Sequence, residues 1–213
     1  MRFFHVADVH LGAEPDVGFP WGKKRKEEIW ESFRRLVVRA EEEKIDLFLI
    51  AGDLFHRQPL LRELKEVNYL FSTLTRTKVV LIAGNHDYRK KGSFYEGFPW
   101  HENVTCLDGE RCGRVVFPKL QTAVYGLSYH TREIREPLYD GLNPKKDGLF
   151  SILLAHGGDE KHIPIDKRKL LCSDFSYIAL GHIHKPQILA ADRMAYAGAL
   201  EPLDKNDCGP HGY

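Results

Sequence analysis

Three apolar runs in this chain, residues 3–7, 45–51 and 78–83, each break off into a polar cluster: Asp8-Val9-His10, Gly52-Asp53 and Gly84-Asn85-His86-Asp87. Short runs that are apolar on both faces read as buried strands. Where an amphipathic helix joins two of them, the strands run parallel, because only a long crossover can return the chain to the same edge. A parallel sheet brings its C-terminal strand ends to one side, where open α/β sheets bind their ligands. The pattern predicts an α/β fold with one polar edge.

The helices are legible in the same way. Over residues 27–43, Ile29, Phe33, Leu36, Val37 and Ala40 recur at helical spacing, whereas segment 8–26, rich in Gly, Pro and charge, reads as a surface loop. After Asp53, residues Leu60, Leu64, Val67, Phe71 and Leu74 alternate spacings of four and three. This narrow stripe fits packing against the sheet, and alternatively a helix-to-helix dimer seam. Beyond residue 103, short strand candidates at 104–107, 115–117, 123–127, 150–155, 177–180, 187–190 and 195–197 have little helix between them. They predict a second sheet packed on the first. With no repeat, low-complexity tract or linker to divide it, the chain is expected to form one domain over 1–213.

Two further clusters end later strand candidates: His156-Gly157-Gly158 and Gly181-His182-Ile183-His184. Together the five supply Asp8, His10, Asp53, Asn85, His156, His182 and His184 as candidate metal ligands. Carboxylate and amide oxygens mixed with imidazole nitrogens suit Mn, Fe or Zn better than Ca or Mg. The set is too large for one tetrahedral ion. It serves two ions about 3.5 to 4 Å apart if one carboxylate bridges them, and Asp53 is the candidate bridge. Residues two apart in an extended segment face one side, so Asp8 with His10, and His182 with His184, are each expected to aim at one locus. Gly52, Gly84 and Gly181 are expected to permit tight turns after the strands. Such a centre hydrolyses phosphate esters. His86, beside Asn85, is placed to give a proton to the leaving oxygen. Asp87 is read as an acceptor that orients His86, or as a cap on the next segment. His5, His101, His130, His162 and His211 match no motif and are read as structural or exposed.

Composition excludes other classes. Lys plus Arg (31) nearly equals Asp plus Glu (30), so no overall basic field draws the molecule onto nucleic acid or an anionic membrane. Only the basic runs at 23–26, 89–91 and 167–169 could contact a phosphate backbone. Cys106, Cys112, Cys172 and Cys208 form no C-x-x-C pair, and the opening Met-Arg-Phe-Phe-His lacks a signal peptide's apolar run. No stretch approaches the roughly 20 apolar residues of a membrane helix. Free thiols, a cytoplasmic location and no membrane anchor are expected.

The ordered set D-x-H, G-D, G-N-H-D, H and G-H-x-H, spanning residues 8–184, resembles the calcineurin-like metallophosphoesterase superfamily. Gly52-Asp53-Leu54-Phe55-His56, the paired histidines of the last motif and Tyr196-Ala197-Gly198-Ala199-Leu200-Glu201 resemble its DNA-repair nuclease branch, the SbcD-type exonucleases and their archaeal and eukaryotic counterparts. The resemblance implies a four-layer α-β-β-α sandwich of two mixed sheets flanked by helices. It assigns Asp8, His10, Asp53 and His184 to one ion and Asp53, Asn85, His156 and His182 to the other. It supports His86 as proton donor and gives His56 a part in assisting that histidine or positioning the scissile phosphate. It implies a DNA nuclease, exo- or endonucleolytic, of double-strand-break repair, with two Mn2+ ions, Fe2+ or Zn2+ being the alternatives. DNA, an SbcC-like coiled-coil ATPase and a second copy of the chain are the implied partners. Relatives continue into a C-terminal region that engages DNA and the ATPase, so a truncated chain is expected. A phosphatase or phosphodiesterase acting on small or nucleotide esters, and a non-catalytic scaffold, are the alternative functions.

Overall fold

The first sheet of the computed structural model, which describes residues 1–205 and 207–213, has four strands, β1 (Phe3–Val6), β2 (Leu47–Ala51), β3 (Lys78–Ile82) and β4 (Val104–Cys106), in that spatial order. All pair in parallel, with Phe4 opposite Phe48, Phe48 opposite Val79 and Val80 opposite Thr105. Helix α1 (Gly22–Glu42) connects β1 to β2, and α2 (Leu61–Ser72) connects β2 to β3. The second sheet holds β5 (Gly113–Phe117), β6 (Thr122–Gly126), β7 (Phe150–His156), β8 (Tyr177–Gly181), β9 (Gln187–Ala190) and β10 (Met194–Tyr196) in the order β5-β6-β7-β8-β10-β9. Its two outer pairs are antiparallel and its inner pairs parallel.

The pleat sorts the side chains into three apolar layers. Phe48, Ile50, Val79 and Leu81 face Ile29, Phe33 and Val37 of α1 and Leu64, Val67 and Phe71 of α2. Their neighbours Leu47, Leu49, Val80 and Ile82 meet Val124, Ile152, Leu154 and Ala179 between the sheets. On the far side Tyr125, Leu153, Ile178 and Leu180 pack under Tyr139, Ile163 and Leu170, the last from the short helix α3 (Lys167–Leu171). This is the expected sandwich of two sheets flanked by helices, with a thin outer layer on the second sheet.

Several expectations need correction. The first sheet is wholly parallel, and only the second is mixed. Residues 104–106 join the first sheet beside β3. Three residues are too few for alternation to show which sheet they belong to. Helix α1 starts at Gly22, five residues before the expected start. The apolar stripe begins only at Ile29, and the preceding turn is held by the Lys24–Glu28 and Arg25–Glu28 pairs, which carry no hydrophobic period. Its far end closes as a Schellman motif. Lys44 takes φ 54°, its N–H donates to Glu41 O at 3.1 Å, and that of Ile45 to Ala40 O at 3.0 Å. Most of the second stripe turns inward: Leu64, Val67, Phe71 and Leu74 are buried in the core, where packing accounts for them, and Leu60 stays exposed before the helix. Among the described residues no helix is long and apolar enough to cross a membrane, and the four cysteines are unpaired.

Candidate metal centre

The polar edge forms because β1 and β2 keep pairing after they stop being regular strands. The N–H of Asp8 donates to Gly52 O at 3.2 Å, that of His10 to Asp53 O at 3.0 Å, and that of Leu11 to Leu54 O at 2.9 Å. Within this ladder Asp8, His10 and Asp53 have φ of 50°, 53° and 50°, and His182 has 94°. These are left-handed conformations that side-chain-bearing residues adopt at a cost of about 1 to 3 kcal/mol each. The sequence expectation of an extended Asp8-x-His10 segment fails here. The two side chains converge through turns, and not through the pleat.

The glycines also act differently from expectation. Of the three, only Gly52 has a positive φ, 90°. At Gly84 the constraint is contact: a Cβ would lie 2.7 Å from both His156 Nε2 and the Asp53 nitrogen. The loop after β3 therefore passes directly over the Asp53 and His156 side chains.

The side chains converge on two neighbouring loci. Asp53 Oδ2 lies 3.4 Å from His156 Nε2 and 3.7 Å from His10 Nε2, so one carboxylate oxygen faces both. Around His10 stand Asp8, with Oδ1 at 3.9 Å, and His184, with Nε2 at 3.2 Å. Around His156 stands Asn85, whose Oδ1 lies 2.9 Å from His156 Nε2 and 3.1 Å from His182 Nδ1. Asp8 is close to the His156 group as well as to His10 and His184. All seven sequence-predicted ligands are thus brought together. Asp8, His10, Asp53, Asn85 and His156 are buried as a floor, and His182 and His184 stand at a half-buried rim.

These atoms suit a cation. His156 Nδ1 donates to Ala51 O at 2.8 Å, and His182 Nε2 to Asp159 at 2.7 Å, so the nitrogens each ring turns to Asn85 Oδ1 are lone pairs in the neutral rings. Three acceptors facing one another need a cation or a proton between them. Without a metal, the proton takes that place. Burial alone would raise the Asp53 carboxyl, but the charge and hydrogen bond of His156 hold it well below the usual range. Burial would lower His156, and Asp53 outweighs it, pushing the imidazole up to about 9. Asp8 is raised to about 6, chiefly by burial. His10 is driven well below its ordinary value by burial and by the neighbouring histidines.

His86 and His56 sit over the His10 side, with ring centroids 4.8 Å and 5.3 Å from that of His10 and 5.0 Å from each other. His86 Nδ1 donates to His56 O at 2.9 Å, and the His86 backbone N–H donates to Asp53 Oδ1 at 2.9 Å. His56 therefore holds His86 by its carbonyl, and its ring lies beside that of His86 tilted by 31°. Asp87 does not orient His86. Its buried carboxylate accepts from the N–H of Gly84 at 2.8 Å and of Phe55 at 3.1 Å, tying the loop after β3 to the loop after β2. Burial and the nearby Asp53 push it up to about 7.

Three groups at the rim escaped sequence reading. Asp159 accepts from His182, and Asp207 Oδ2 accepts from His184 Nδ1 at 3.0 Å. His162, set aside as unmatched, donates to Asp159 Oδ2 at 2.8 Å. Asp159 follows His156 by three residues, and a search for carboxylates behind candidate histidines would have raised it. Asp207, over twenty residues from His184, carries no such signal. The basic runs are less available than expected: Arg89 is buried against Asp108 and Tyr95, Arg25 and Lys26 pair with Glu28 and Glu14, and Lys169 pairs with Asp140.

The family model described as calcineurin-like phosphoesterase matches residues 1–186. The chain is 31% identical over 234 residues to the uncharacterized metallophosphoesterase YhaO of Bacillus subtilis, an alignment covering 100% of this chain and 56% of the relative. It is 31% identical over 225 residues to the DNA double-strand break repair protein Mre11 of Methanocaldococcus jannaschii, covering 97% and 58%. To the protein of the same name in Archaeoglobus fulgidus it is 30% identical over 231 residues, covering 96% and 51%. The chain spans about half the length of these curated relatives.

Proposed function

Since the chain belongs to the calcineurin-like phosphoesterase family, we propose that its polar edge is a dinuclear metal centre that hydrolyses phosphodiester bonds of DNA. The observation that carries this reading is Asp53, whose one oxygen faces His156 at 3.4 Å and His10 at 3.7 Å. Asp8, His10, Asp53 and His184 would hold one divalent ion, and Asp53, Asn85, His156 and His182 the other. The mixed oxygen and nitrogen donors suit Mn2+, Fe2+ or Zn2+, and resemblance to the nuclease branch points to Mn2+ among them. When bound, two such ions supply Lewis acidity, making a shared water easier to deprotonate and offsetting the negative charge that develops on a phosphate.

The chain's own residues supply the rest. The Asp53 carboxylate has its second oxygen held by the His86 N–H, which fixes the loop carrying Asn85 and His86 to the bridging residue. His86 commits Nδ1 to the His56 carbonyl. It therefore acts from Nε2 as the doubly protonated imidazolium, giving the Nε2 proton to the oxygen that leaves as the phosphodiester breaks and remaining as the neutral ring protonated at Nδ1. His56 sets the plane of that ring. DNA as substrate draws support from the relatives named as double-strand break repair proteins, and within the basic runs Arg25, Lys26, Arg89 and Lys169 are paired inside the chain.

Cleavage of single-stranded DNA, a cyclic nucleotide and a phosphomonoester, compared with Mn2+ present and absent, tests the reading. DNA is the expected substrate. Cleavage of the monoester alone would remove the nuclease reading and leave a phosphatase.

A further inference from the structure

His182 and His184 are two residues apart, yet they present different nitrogens to the centre. His182 turns Nδ1 toward Asn85 Oδ1 at 3.1 Å, and His184 turns Nε2 toward His10 Nε2 at 3.2 Å. Behind each ring, on the opposite nitrogen, stands a carboxylate: Asp159 Oδ2 is 2.7 Å from His182 Nε2, and Asp207 Oδ2 is 3.0 Å from His184 Nδ1. A carboxylate takes the proton-bearing nitrogen as its donor, so each one selects which nitrogen keeps its lone pair.

We propose that Asp159 and Asp207 are positioning residues that fix opposite tautomers of His182 and His184, each supporting one of the two metal ions. The inference rests on the dinuclear reading above. It assigns Asp159 to the ion on the Asn85 and His156 side, and Asp207 to the ion on the Asp8 and His10 side.

Both carboxylates are themselves held in place. Asp159 Oδ1 accepts the backbone N–H groups of Lys161 at 2.7 Å and His162 at 3.0 Å, and the His162 ring donates to Oδ2 at 2.8 Å. Its loop is compact: the Gly158 N–H donates to the carbonyls of His162 at 3.0 Å and Ile163 at 3.1 Å. The Tyr196 hydroxyl donates to Gly157 O at 3.1 Å. Asp207 Oδ2 also accepts the Leu203 N–H at 3.0 Å, and His211 Nε2 donates to the Asp207 carbonyl at 2.7 Å. A loop after β7 and the C-terminal segment after β10 thus each deliver one acceptor to the rim. A carboxylate held only by its own side-chain rotamers would lose more entropy on pairing and select a tautomer less firmly.

Two measurements test this. Nitrogen-15 correlation spectra of the metal-free full chain at pH 8 report the imidazole tautomers directly. The expected result is protonation of His182 at Nε2 and of His184 at Nδ1. Asp159→Ala should erode the preference of His182 alone, and Asp207→Ala that of His184 alone, with Asp159→Asn and Asp207→Asn intermediate. Manganese titration followed by the free-ion electron paramagnetic resonance signal should then show one of two binding steps weakened roughly 10- to 100-fold in each Ala variant, and both in the double variant. Protonation of His182 at Nδ1 or of His184 at Nε2 in the unaltered chain, or variants with unchanged tautomers and affinities, would overturn the proposal. A chain that binds no manganese would remove the dinuclear reading, and the spectra of the metal-free chain would still decide which tautomers the two carboxylates select.

Discussion

The ring of His86 is held from behind by the backbone carbonyl of His56, 2.9 Å from Nδ1, so the side chain best placed to protonate a leaving oxygen takes its orientation from the loop after β2. Its own backbone N–H binds the Asp53 carboxylate. Replacing the ring leaves that second contact intact. His86→Ala is expected to cut phosphodiester cleavage roughly 100- to 10,000-fold while both metals remain. Rates and metal content measured on the same preparation check this, and loss of the metals would make His86 a structural residue.

Gly84 makes a different prediction because its constraint is contact. A Cβ there would lie 2.7 Å from His156 Nε2 and from the Asp53 nitrogen. Gly84→Ala is expected to weaken manganese binding and to destabilise the fold by about 1 to 3 kcal/mol. Urea titration with and without manganese measures both, and an unaffected variant would mean that the loop can move away from the centre at little cost.

Asp87 separates stability from catalysis. Its oxygens satisfy the buried N–H groups of Gly84 and Phe55. Asp87→Ala leaves both without an acceptor, at about 1 to 3 kcal/mol each. The expected outcome is a lower denaturation midpoint, with the turnover of the remaining folded protein little changed. A drop in turnover at unchanged stability would restore Asp87 as the acceptor that orients His86.

His5 gives a pH dependence that lies outside the centre. The ring is buried between the Tyr177 hydroxyl and the Leu180 carbonyl, and burial lowers it from 6.5 to about 4, partly opposed by the hydrogen bond to Leu180. Between pH 6.5 and 4 the unfolded chain takes up the proton and the folded chain does not. Stability therefore falls as pH falls through that window and levels off below it, by about 3 kcal/mol from this residue. His5→Gln should flatten that part of the profile of unfolding free energy against pH. A profile of unchanged slope would contradict the assignment.

The fold and the convergence of the seven polar side chains were legible because both are written in short-range pattern. Runs such as 45–51 and 78–83 are apolar on both faces, and each ends in its polar cluster, so strand, parallel pairing and site edge could be read from a few residues. The helix stripe of Leu64, Val67 and Phe71 was legible as a stripe, but its partner, the Phe48 and Val79 face, is set by three-dimensional packing. The first turn of α1 was missed because its support is ionic, from Lys24 and Arg25 to Glu28. The left-handed conformations at Asp8, His10 and Asp53 contradict local preference and are maintained by the ladder between β1 and β2, which no window of sequence contains. The contact role of Gly84 and the acceptors Asp159 and Asp207 depend on what lies across the site, so they appear only once the chain is folded.

The most direct test is the metal stoichiometry of the manganese-loaded chain, compared with Asp53→Asn. If Asp53 bridges the loci of His10 and His156, the unaltered chain binds two ions, and the variant, which loses a charge from both loci at once, weakens both binding steps together. A single ion in the unaltered chain, or a variant that loses one ion and holds the other at full affinity, would contradict the shared carboxylate on which the account is built.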